Sequence, residues 1–141
     1  HGEVNGVLVI DDYAHHPTEI AAMLSAARAS VDRRLIVAFQ PHRYTRTQRL
    51  MDAFGPSLRD ADEIVLTDIY AAGEEAQAGI SAEALSRALT DKGHRGVAYA
   101  GDLKAATERL VAEVREGDVV LTLGAGNVWT AGEELLKRNG R

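Results

Sequence analysis

An α/β fold is what this sequence predicts: a mostly parallel sheet of about five to six strands with helices on both faces. Three observations predict it. Strand-like and helix-like segments alternate along the chain. The strand-like segments are near-continuous apolar runs, as expected where both faces of a sheet are covered. The unusual polar residues fall just after the strands, where ligands sit in sheets of this kind.

The first strand is "GVLVIDD", Gly6–Asp12. In "HPTEIAAMLSAARAS", Pro17 suits a first helical turn and Glu19 suits the positive end of the helix dipole. Ile20, Met23, Leu24 and Ala27 then share one helical face. "RLIVAFQ" is the second strand. A helix beginning near Thr45 follows it, with Thr45 and Gln48 spaced as a capping box. Leu50, Met51, Phe54 and Leu58 form its apolar stripe. "DEIVLTDIY" is the third strand, and a glycine-containing loop leads to a helix starting near Ser81 with Leu85 and Leu89 inward. "GVAYA" is a short fourth strand. Asp102 is placed to cap the next helix, whose face is Leu103, Ala106, Leu110, Val111 and Val114. "GDVVLTLGAGN" is a fifth strand ending in a glycine turn, and a last helix runs to about Lys137.

The 141 residues fit one domain, 1–141, with enough chain to bury a core. A net charge of −5 argues against nucleic acid as the main partner. There is no cysteine, so disulfides, thiolate metal sites and cysteine nucleophiles are excluded and a cytoplasmic location is expected. No apolar run approaches the roughly 18 residues of a membrane helix. "HGEVNG" has no basic-then-apolar leader pattern and no initiator methionine, and it reads as the start of a piece of a longer chain.

Four polar clusters carry the functional reading. "DDYAHHP" offers Asp11, Asp12, Tyr13, His15 and His16 ahead of a helix. A carboxylate there can accept from ribose hydroxyls or place a cation, and the rings can stack on a base or hold a substrate. The plainer alternative makes His16 a helix cap and the aspartates turn formers. Adjacent His15 and His16 diverge, so no metal site is expected from them. "QPHRYTR" places Arg43 and Arg46 at a helix start, the wrong end for cations unless an anion is to be held. His42 can add a donor. The alternative is a solvated basic turn. "TDIYAAGE" adds Asp68 and Tyr70 as rim residues, with Glu74 either pairing an arginine or lying in plain loop. "GAGN" can bring backbone N–H groups near a ligand through Gly124 and Gly126. It fails as a dinucleotide fingerprint because Trp129 stands where the third glycine belongs. No phosphate loop and no G-x-S-x-G elbow occurs.

Together and in this order, "DDYAHHPTEI", "FQPHRYTRT", "DIYAAGE" and "GAGN" resemble the C-terminal, Rossmann-like domain of the ATP-dependent Mur ligases of peptidoglycan synthesis. Within that family the resemblance is to the branch that adds L-alanine to UDP-N-acetylmuramate. It implies an enzyme of three domains, of which this chain is the third. It implies amide formation through an acyl phosphate, with ATP and Mg2+ held mainly by the absent central domain, and an isolated domain without activity. By the same resemblance Asp12, and with it Asp11, stands on the nucleotide side. Tyr13, His15, His42, Arg43 and Arg46 stand at the alanine and reaction centre, and His16, Asp68, Tyr70, Gly124 and Gly126 are rim positions. The implied partners are ATP, L-alanine, UDP-N-acetylmuramate and the two other domains, with neither nucleic acid nor membrane. Two other readings stay open: a murein-tripeptide recycling ligase, which has a similar "HHPT" segment, and a stand-alone nucleotide- or anion-binding α/β module without chemistry.

Overall fold

The computed structural model describes residues 2–140. Six strands form one sheet: β1 Gly2–Val4, β2 Val7–Asp12, β3 Leu35–Phe39, β4 Glu63–Thr67, β5 Val97–Gly101 and β6 Val119–Leu123. Five helices accompany them: α1 Pro17–Ser30, α2 Tyr44–Ser57, α3 Ala82–Asp91, α4 Leu103–Glu113 and α5 Trp129–Asn139. The strand order is β1-β2-β6-β3-β4-β5, with every pairing parallel except β1 with β2.

The expected α/β architecture is therefore present. β3 and β6 are buried at every residue, which is why they read as unbroken apolar runs. Side chains alternate between two cores. Leu35, Val37, Phe39, Leu121 and Leu123 pack with Ile20, Leu24, Phe54 and Leu85 from α1, α2 and α3. Ile36, Ala38 and Val120 pack with Ala106, Leu110, Ala131 and Leu135 from α4 and α5. The Phe39 and Phe54 rings meet at 5.2 Å and 56° in the first core. Each fully buried Leu, Ile or Phe contributes about 1.5–3 kcal/mol.

Two local details differ from the sequence reading. β1 was not expected. Asn5 (φ 53°) and Gly6 (φ 78°) form a tight turn between β1 and β2, the left-handed geometry that an Asn-Gly pair favours in two-residue hairpins. The second difference is the start of α2. Its N-cap is Arg43, which makes no side-chain cap bond, and the expected Thr45–Gln48 capping box is absent. By contrast, Ser81 and Asp102 cap α3 and α4 through the Ala84 and Ala105 N–H groups.

The chain leaving β6 turns to the face of α5, whereas the chains leaving its neighbours β2 and β3 turn to the face of α1 and α2. Connections that part in this way open a crevice at the carboxyl ends of the strands.

Candidate functional site

The polar clusters meet at that carboxyl rim. Gly124 N–H donates to the Asp12 carbonyl (3.3 Å) and Gln40 N–H to the Leu123 carbonyl (3.0 Å), tying the ends of β2, β6 and β3 together. His42 and Tyr70 form an isolated parallel bridge. Tyr70 N–H donates to the Pro41 carbonyl and Arg43 N–H to the Tyr70 carbonyl, both at 2.8 Å. The loops after β3 and β4 are thereby stitched into one platform.

Beside this platform lies a cleft of about 330 Å³ lined by Tyr13, His15, His42, Arg43, Thr45, Arg46, Arg49 and Ala125. All five residues expected at the reaction centre are among them. Among the described residues Arg43, Arg46 and Arg49 have no carboxylate within ion-pair distance, while Arg28, Arg33, Arg34, Arg87, Arg109 and Arg138 each reach one. Arg43 and Arg46 stand at the positive end of α2 and Arg49 one turn on, so their guanidiniums are free to take an anion from outside the domain.

Four rings form a row across the cleft. Tyr13 meets His15 edge-on at 5.5 Å, His15 lies 5.7 Å from His42, and His42 stacks on Tyr70 at 5.6 Å and 10°. Arg46 lies 3.0 Å from His42 Nδ1. A guanidinium only donates, so Nδ1 accepts and the His42 proton sits on Nε2. Burial, and then the charges of Arg46, His15 and Arg43, hold the His42 pKa below its ordinary 6.5; Glu74 pulls the other way. His15 Nδ1 lies 3.1 Å from the Tyr13 carbonyl and donates to it, leaving Nε2 as an acceptor when the ring is neutral. The cleft thus offers guanidinium forks and an imidazole N–H for an anion, with an imidazole acceptor close by for an amine.

The other expected site residues stand outside the cleft lining. His16 is the N-cap of α1 and completes a capping box with Glu19, as in its plainer reading. Asp12 accepts from the Ala14 N–H at 2.8 Å. Asp11 projects to the opposite sheet face, because successive strand residues do, and accepts from Thr122 Oγ1 at 2.7 Å. Asp68 accepts from the Tyr99 hydroxyl and helps push that phenol up to about 12. Gly124 and Gly126 allow close approach: a Cβ on Gly126 would stand 2.6 Å from Gln40 Oε1 and 2.7 Å from the Tyr70 ring. Gln40, 5% exposed, exchanges two bonds with Asn127, at 2.8 and 3.0 Å. Among the described residues Glu74 forms no ion pair with an arginine. Its carboxylate caps α2, accepting from Tyr44 N–H, Thr45 N–H and Thr45 Oγ1.

Arg49 was missed in the sequence, although "RYTRTQR" repeats arginine at a spacing of three that keeps one helix face. A larger concavity of about 420 Å³ opens at the opposite rim, among Arg59, Lys92, His94 and Arg95. Arg59, Lys92 and Arg95 follow the C-terminal ends of α2 and α3, where the helix dipole favours cations, Lys92 already reaches Asp52, and His94 is occupied by the Ala61 carbonyl and the Gly96 N–H. They need no ligand to explain them.

Fold and cleft together define an α/β domain with guanidinium and imidazole groups gathered in a cleft at the rim of its sheet. Residues 1–126 match the family described as "Mur ligase, glutamate ligase domain", and the chain belongs to that family. It is 54% identical over 138 residues to the UDP-N-acetylmuramate–L-alanine ligase of Trichlorobacter lovleyi and 53% identical over 137 residues to that of Geotalea daltonii. Each alignment covers 97% of this chain and 30% of the relative, so the chain spans under a third of the curated relatives it matches. Among solved structures, the UDP-N-acetylmuramate–alanine ligase of Thermotoga maritima superposes with a TM-score of 0.74 at 28% identity, over 94% of this chain and 26% of that one.

Proposed function

We propose that this chain, 1–141, is the C-terminal domain of an ATP-dependent ligase that adds L-alanine to UDP-N-acetylmuramate. In that enzyme the domain holds the amino acid and closes over the nucleotide. The observation that carries the reading is the set of three unpaired arginines around a neutral His42, beside His15, in a cleft sized for a small zwitterion. The relatives at 53–54% identity carry the alanine ligase name, which favours this branch over the tripeptide recycling ligase and over a non-catalytic module.

ATP supplies the phosphoryl group that converts the sugar's lactyl carboxylate to an acyl phosphate. This chain's residues do the rest of the local work. Arg43 and Arg46 pair with the alanine carboxylate in the bidentate geometry a guanidinium favours. His42 stays uncharged under Arg46 and donates from Nε2, so it adds a hydrogen bond without a further positive charge to repel the amine. His15 Nε2 can accept a proton from the attacking amine. Tyr13, 69% exposed in this chain alone, becomes covered when the domain closes, which excludes water from the acyl phosphate. Magnesium would be held mainly by the central domain, beside the ATP phosphates. No helix of the described residues is long and apolar enough to cross a membrane.

The test is Arg43→Ala in the full-length enzyme. Loss of one charge-assisted contact costs about 1–3 kcal/mol, or roughly 10–100-fold in kcat/KM for L-alanine. Unchanged alanine kinetics would remove Arg43 from the site, and turnover by the 141-residue chain alone would refute the three-domain reading.

A further inference from the structure

We propose that Glu74 is a positioning residue, a cap supplied to α2 from the neighbouring loop that fixes the aim of Arg43 and Arg46 into the cleft. For the identity of the bound anion this rests on the alanine-ligase reading.

A helix N-terminus leaves several N–H groups without partners. Arg43 stands at the N-cap but offers no acceptor, and its backbone is left-handed at φ 71°. A non-glycine residue rarely holds that conformation unless its surroundings impose it. Here they do, from both sides. The Arg43 N–H is taken by the Tyr70 carbonyl at 2.8 Å, and its carbonyl accepts from Thr47 N–H at 3.1 Å and Thr47 Oγ1 at 2.7 Å. Beyond it, Glu74 Oε1 accepts from Tyr44 N–H at 2.6 Å and Thr45 N–H at 3.2 Å, and Oε2 accepts from Thr45 Oγ1 at 2.6 Å. The loop bearing Glu74 is itself bent to deliver it. Ala72 and Gly73 have φ of 52° and 89°, and Glu74 N–H closes a turn onto the Ala71 carbonyl at 3.0 Å.

The consequence is selective. Glu74 spends its charge on backbone donors and a hydroxyl, so it leaves all three guanidiniums of the cleft without an ion pair. It also occupies the first free N–H groups of α2. An incoming anion therefore meets the Arg43 and Arg46 forks and not the helix end. Removing the carboxylate frees the Tyr44 and Thr45 N–H groups to compete for the anion and loosens the first turn of α2 that follows Arg43.

The experiment compares Glu74→Ala and Glu74→Gln with the parent full-length enzyme. Glu74→Ala should raise the KM for L-alanine about tenfold and leave the KM for ATP within about twofold, the split expected of a residue that orients one substrate's contacts. Glu74→Gln should recover most of the loss, because its amide oxygen still accepts from Tyr44 and Thr45. An unchanged alanine KM, or an equal rise for both substrates, overturns the proposal. In the 141-residue chain, the Tyr44 and Thr45 amide proton shifts should titrate with Glu74 below its ordinary 4.5, held down first by the Thr45 hydroxyl. That titration should vanish in Glu74→Gln; its persistence there overturns the cap. If the parent enzyme ligates no L-alanine, the alanine reading falls alone, and the amide titration still decides for or against the cap.

Discussion

Replacing Gly126 by alanine tests how the glycine turn after β6 holds the rim together. The added methyl would lie 2.6 Å from Gln40 Oε1 and 2.7 Å from Tyr70 Cγ and Cδ2. Ordinary contacts between such atoms are about 3.5–4 Å, so each neighbour must retreat by roughly 1 Å. The two differ in how easily they can. Tyr70 is 38% exposed and can swing outward, losing its stack on His42. Gln40 is buried and locked to Asn127. Overpacking costs about 1–3 kcal/mol and an unmade buried amide bond costs a similar amount. With the Tyr70 movement relieving part of this, the net is about 2–3 kcal/mol. An unfolding entropy near 2.1 cal/mol/K per residue amounts to about 0.3 kcal/mol per degree for this chain, so Tm should fall by about 7–10 °C. Thermal unfolding followed by far-UV circular dichroism measures it. Adding Tyr70→Ala to Gly126→Ala should cost less than the sum of the two single changes, by about 0.5 kcal/mol or more. A Tm within about 2 °C of the parent, or strict additivity, would refute the steric account.

Two further outcomes concern the core and the lower rim. Phe54→Ala empties the space against Phe39 in the first core and should cost about 3–5 kcal/mol in chemical denaturation. Asp118 is buried and bonded to Arg34 at 2.7 and 3.0 Å and to the Arg115 N–H at 2.8 Å. Burial pushes its pKa up, but the Arg34 and Arg115 contacts outweigh it and leave the carboxyl below its ordinary 3.8. A depressed carboxyl contributes stability that is complete above about pH 3.8 and lost as pH falls through the lowered value. Asp118→Asn should therefore cost about 2 kcal/mol at pH 7 and flatten the acid limb of a stability–pH curve. An acid limb as steep as the parent's would place the titration elsewhere.

Much of the fold was legible because its signals are local. Buried parallel strands such as Leu35–Phe39 need apolar residues on both faces, and Ser81 and Asp102 mark helix starts with their own side chains. The Asn5-Gly6 turn is equally local, but only three residues pair beyond it, too few to give β1 an apolar run of its own. The start of α2 was not legible. Its acceptor comes from Glu74, some 30 residues away, and that long-range bond displaces the capping box that Thr45 and Gln48 suggest. In the site, Tyr13, His15, His42, Arg43 and Arg46 do converge. Asp11 and Asp12 diverge by strand alternation, which the sequence already implied. Asp68 is taken by Tyr99, a partner on β5 that no spacing rule could identify.

The strand order also constrains how the chain can be made. β6, the last strand in sequence, lies between β2 and β3. Until residues 119–123 leave the ribosome, β1-β2 and β3-β4-β5 are separate half-sheets, each with an open inner edge. Neither half can complete its core beforehand, and bare strand edges invite pairing with other chains. Folding must then wait for a late, non-local closure, which is slow for its size. A nascent chain stalled before Val119 would be a target for chaperones, and a truncation there would yield aggregate and not a smaller domain.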